Sequence, residues 1–97
     1  MSTIYTIALI IDDEIQWMNH KFFSTKIATI KDIAKRVDDG IRLCENIINE
    51  PIATRWDTYK INECGKDTYL AVEAIAQLRN TSTGKKIIYG VVEYSLD

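Results

Sequence analysis

Apolar and polar positions alternate along this chain with two different periods. Residues 3–11, TIYTIALII, form an unbroken β-branched run with acids after it. Such a run predicts a central strand, apolar on both faces. Asp12-Asp13-Glu14 interrupts it. Residues 15–23, IQWMNHKFF, fit a second strand folded back on the first in a hairpin that turns at the acids. The alternative is a short helix capped by Asp12 or Asp13, because Ile15, Met18 and Phe22 also sit at helical spacing.

The helical period is clearest next. Ile30, Ile33, Ala34, Val37, Ile41, Cys44 and Ile48 recur every three or four residues and make one apolar stripe. Thr29 and Asp32 look like a capping box at its start. The phase runs on through Asp38-Asp39-Gly40, so we expect one helix of about five turns. It should be weak at Gly40 and end at Pro51, which lacks a donor and disfavours helix in the residue before it. Residues 55–62 alternate as a strand, and Cys64-Gly65-Lys66 reads as a turn. From Asp67 or Thr68 to Arg79, the positions Leu70, Ala71, Ala74, Ile75 and Leu78 predict a second helix. Thr81–Gly84 is a loop. Lys85–Ser95 is the last strand, with Gly90 a candidate bulge. The expected fold is a single α+β domain over 1–97: a small antiparallel or mixed β-sheet with two α-helices on one face.

Charge refines this picture through its distribution. The chain has 12 basic and 14 acidic side chains, and the excess sits at the front. Asp12, Asp13 and Glu14 face only Lys21 within the first 25 residues, whereas the remainder is balanced. The chain is not basic, which disfavours direct binding to DNA. A basic stripe of Lys31, Lys35 and Arg42, with Lys21 and Lys26 before it, is diluted by interleaved acids.

Reactive chemistry finds little support. Structural zinc needs about four Cys or His ligands and catalytic zinc about three protein ligands. The chain holds one histidine, His20, and two cysteines, Cys44 and Cys64, on no ligand spacing. A cysteine–histidine pair could meet only through the fold, and the simpler reading makes both thiols reduced and Cys44 buried. There is no glycine loop for phosphate. We expect no cofactor, no metal and no enzyme. Met1 leads directly into the first strand without a basic leader, and no apolar run approaches the ~20 residues of a membrane span. The cytoplasm is the expected compartment.

Two acidic groups remain as candidate partner-binding residues: Asp12, Asp13 and Glu14 at the hairpin, and Asp38, Asp39 and Glu45 along the helix. The plain reading of each is a solvated surface. In length, acidic balance, α+β pattern and the run STIYTIALIIDDE, the chain resembles the phage-encoded anti-CRISPR proteins, in particular small inhibitors of the type I-F surveillance complex. These share no motif. The resemblance implies binding to Cas subunits in the bacterial host cytosol, as monomer or small oligomer. There, carboxylates stand where phosphates of target DNA would lie, and Asp12, Asp13, Glu14, Asp38, Asp39 and Glu45 would be those carboxylates. A second possibility is a small homodimeric adaptor or antitoxin-like regulator that pairs through a strand such as Lys85–Ser95.

Overall fold

The structure, a computed structural model, describes residues 2–96. Six strands and one helix follow in the order β1 (Ser2–Ile11), β2 (Glu14–Met18), α1 (Lys26–Leu43), β3 (Ile47–Glu50), β4 (Arg55–Glu63), β5 (Lys66–Asn80) and β6 (Lys86–Leu96). The fold is α+β, with one helix on a mixed six-stranded sheet rather than two helices.

The sheet curls on itself. β1 lies between β2 and β6, both antiparallel to it. β5 pairs with β6 along one edge and with β4 and β3 along the other. A single parallel bridge, Glu14 to Lys60, joins β2 to β4 and closes five strands into a ring. Because strand side chains alternate between faces, the ring has an inner and an outer core. Inside pack Ala8, Ile10, Ile15, Tyr59, Val72 and Val92. Outside, Ile7, Leu78 and Val91 meet Ile33 and Val37 of the helix.

The predicted second helix is β5. Its apolar residues alternate through Leu70 and Val72 toward the inner core, and then Ala76 and Leu78 face the helix. The change of face comes from a bulge between Ala74 and Ala76, opposite Gly90 and Tyr89. One extra residue lengthens a spacing of two to three, which imitates a helical period. The bulge is thus on β5, and Gly90 is instead where β6 approaches most closely.

The helix also differs from expectation at both ends. Thr25 is the N-cap, its hydroxyl accepting from the Ala28 N–H at 3.2 Å. Thr29 is buried within the helix, where its hydroxyl donates to the Thr25 carbonyl, and Asp32 pairs with Arg36 one turn on. The helix stops at Leu43, short of Pro51, because Ile47–Glu50 pair with Gln77–Asn80 as β3. Cys44 and Cys64 are both free and exposed, so Cys44 is not the buried residue that its helical phase suggested. Residues 15–23 follow the hairpin reading to Met18; beyond it, Phe23 alone bridges to Tyr5. Among the described residues, no helix is long and apolar enough to cross a membrane.

Candidate functional site

The β1–β2 connection consists of two residues, Asp12 and Asp13, with φ of 54° and 63°. Ile11 and Glu14 form the last strand pair on either side. A two-residue hairpin of the type I′ kind has positive φ at both positions, which matches the twist of its strands. Asn-Gly adopts that conformation most easily, and two aspartates do so at some cost. The second tight hairpin, Cys64-Gly65, has the same left-handed pair but places glycine second. Both aspartates are exposed, without an ion pair among the described residues.

This turn lies at one end of the ring, beside the start of β6. Asp12, Asp13, Lys85 and Lys86 line one cavity of about 260 Å³ there. An adjoining cavity of about 380 Å³ takes in Asp13, Arg55, Asp57, Tyr59 and Lys86. Burial lifts the Tyr59 hydroxyl above its ordinary value, and the Asp57 and Asp13 charges add to the effect. The carboxylates therefore stand among cations at this end, and the local field is mixed.

The six candidate carboxylates do not form one surface. Glu14 opens β2 and lies 3.8 Å from Lys60 across the closing bridge. Asp38 accepts from Arg42 at 3.0 Å on the helix, and Asp39 beside it is exposed. Glu45 lies between α1 and β3. Its neighbour Asn46 accepts from the Thr81 N–H at 2.7 Å, which ties this segment to the loop leading into Lys85. Thus Asp12, Asp13 and Glu45 share an end of the molecule, while Asp38 and Asp39 lie along the helix. In the basic stripe, Lys26 and Arg42 are committed to Glu73 and Asp38, leaving Lys31 and Lys35 exposed.

Three arrangements had no clear signal in the sequence. Two tryptophans on the outer face each carry a helix cation. Lys26 Nζ lies 5.7 Å from the Trp56 ring, and the Arg36 guanidinium lies 5.1 Å from Trp17. Lys26 is also the counter-ion of Glu73, whose residue is only 8% exposed. Glutamate within the otherwise apolar run 70–76 was the available hint for this pair. Third, Asn19 follows β2 where Thr6, buried in β1, shares its hydroxyl proton between the Asn19 and Lys21 carbonyls at 2.9 and 3.0 Å. Its Oδ1 accepts from the Lys21 N–H at 3.3 Å, but its Nδ2 is buried without an acceptor. An unmet donor of this kind costs about 1–3 kcal/mol.

No group of three or more His, Cys, Asp and Glu among the described residues could hold a metal ion. No protein-family model matches the chain, and no curated protein or solved structure is significantly similar to it.

Proposed function

We propose that this chain is a binding protein that acts by occupancy, and that it inhibits the type I-F CRISPR–Cas surveillance complex by competing with target DNA. The observation that carries the reading is the Asp12-Asp13 turn. Its two adjacent carboxylates sit on a two-residue hairpin tip in a conformation that other residues adopt at lower cost. A cleft that grips duplex DNA presents Lys and Arg, and fixed carboxylates can satisfy those cations in place of phosphates. Glu45 supports the turn from the same end. Glu14 and Asp38 contribute less, since each already faces a cation. Lys85 and Lys86 beside the turn make the mimicry local, a matter of two placed charges rather than of an acidic surface.

The test is a pull-down of the tagged chain with a purified type I-F surveillance complex, followed by target-DNA binding. Co-purification with loss of DNA binding supports the reading, and absence of association sinks it. A homodimeric adaptor or antitoxin-like regulator is the second reading. β6 is paired on both sides and offers no edge, whereas β3 is paired only to β5. A mass that rises with concentration, and is unchanged by altering Asp12 and Asp13, would favour that reading.

A further inference from the structure

Tyr59 belongs to the inner core, yet it also lines the cavity of about 380 Å³ at the end of the ring that carries the Asp12-Asp13 turn. The residue is only 6% exposed. Its hydroxyl has no hydrogen-bond partner among the described residues. It is not one of the unpartnered atoms sealed from solvent, which are Asn19 Nδ2 and Glu73 Oε2. Burial raises its pKa, the Asp57 and Asp13 charges raise it further, and Arg55 opposes them. All three charged groups line the same cavity, which sets the hydroxyl, and not the ring alone, against it. The rest of the lining divides into three. Arg55 and Asp57 pair with each other at 3.6 Å, and the Gln77 amide donates to Glu50 at 2.9 Å. Asp13 and Lys86 are exposed and have no ion pair among the described residues. Pro51, Ile52, Ala53 and Ile88 make the apolar side.

Barrel mouths that combine apolar walls with a few polar groups are common small-molecule sites, and this volume is at the lower end of their range. The lining is neutral as a whole, with two cations against two carboxylates. A simple anion meets Asp13 and Asp57 as well as the cations, and a simple cation meets Arg55 and Lys86. A small zwitterion instead turns each of its charges toward the opposite one, and charged partners make the stronger hydrogen bonds. The Tyr59 hydroxyl, kept protonated by its raised pKa, is a donor suited to a carboxylate. We propose that this mouth binds a free α-amino acid with an apolar side chain. Its carboxylate accepts from Lys86 and the Tyr59 hydroxyl, its ammonium donates to Asp13, and its side chain lies against Ile52 and Ile88. The site shares Asp13 with the inhibitor reading and does not rest on it, because it needs only this chain.

The experiment is a titration of the full chain with leucine, followed by NMR of the Tyr59 ring and the Ile52 and Ile88 methyl groups. Two comparison probes each lack one charge: 4-methylpentanoate has no ammonium, and 3-methylbutylamine has no carboxylate. Leucine should shift all three sets of signals saturably. Each comparison probe should bind about tenfold more weakly, the low end for a hydrogen bond to a charged group because the mouth is open to water. Asp13→Asn keeps a residue that tolerates the turn and removes the charge, so it should erase the preference for leucine over 4-methylpentanoate. Lys86→Met should erase the preference for leucine over 3-methylbutylamine. Tyr59→Phe keeps the ring in the core and should weaken leucine several-fold. Asp13 and Lys86 are exposed, so their variants decide even if Tyr59→Phe does not fold. The surveillance complex is absent from the titration, so the inhibitor reading can fail without altering the result. The proposal is overturned if leucine gives no saturable shift, if either comparison probe binds as well as leucine, or if Asp13→Asn and Lys86→Met leave those preferences unchanged.

Discussion

Gly90 on β6 and Val72 on β5 approach so closely that a Cβ on Gly90 would overlap the Val72 Cγ1 and lie 2.9 Å from the Glu73 carbonyl oxygen. Only part of that conflict could be relieved by a side-chain rotation, because the second obstacle is backbone. We expect Gly90→Ala to destabilise the fold by about 3 kcal/mol, the upper part of the range for overpacking. The melting temperature should fall by roughly 10–20 °C. A shift within a few degrees of wild type would mean that β5 and β6 can separate freely at this point.

The hairpin tip separates stability from binding. Asp12→Asn with Asp13→Gly gives the turn the residue pair that its left-handed geometry favours. Urea unfolding should show a gain of about 1 kcal/mol. If the carboxylates stand in for phosphates, the same variant should lose competition with DNA on the surveillance complex. A more stable protein with full inhibition would remove Asp12 and Asp13 from the mechanism.

Lys26 and Glu73 form the pair most sensitive to losing one member. Glu73 is buried and Lys26 reaches partly into solvent. Lys26→Met should cost about 2 kcal/mol, less than the ~3–5 kcal/mol of a fully enclosed pair because water still reaches the site. Adding Glu73→Gln should recover most of the loss. Chemical denaturation of the two single variants and the double variant gives the coupling directly. Additive losses would show that the two side chains act separately.

Glu50 fixes the short strand β3 to β5. It accepts from Arg79 at 2.5 Å and from Gln77 at 2.9 Å. Those bonds hold its carboxyl below the ordinary glutamate value of 4.5. Near that pH the unfolded chain therefore binds more protons at this position than the folded chain does. Its contribution to stability is present above the ordinary value and is lost as pH falls through the lower, folded value. Urea midpoints measured from neutral to acid pH should fall less steeply in Glu50→Gln than in wild type. Parallel curves would show that this carboxyl does not drive the acid response.

The elements that the chain revealed most clearly are those whose pattern obeys a single rule throughout. β1, β4 and β6 alternate or are uniformly apolar, and their bounds follow the residues. The acidic hairpin was legible because a turn was the simplest use of three adjacent acids after an apolar run. β5 was not, because one bulge at Ile75 shifts the pattern between two faces, and alanine-rich residues are as comfortable in a helix. The helix end was misplaced for a related reason. Ile48 keeps the helical phase, yet Ile47 and Ile48 are β-branched and lie opposite Asn80 and Arg79. As for the candidate site, Asp12, Asp13 and Asp39 are exposed as expected. That Glu14 and Asp38 each face a cation depends in one case on a cross-strand bridge, which no local spacing reveals.

The change of face within β5 has a consequence for how the molecule comes apart. The same strand contributes Val72 to the ring interior and Leu78 to the layer beneath the helix. Neither layer can melt while the other stays intact, since each needs β5 in place. Two small cores thus become one cooperative unit, and calorimetry should record a single transition whose van't Hoff and calorimetric enthalpies agree. Peeling the helix away would loosen the barrel as well, so any partner that grips α1 also pulls on the ring.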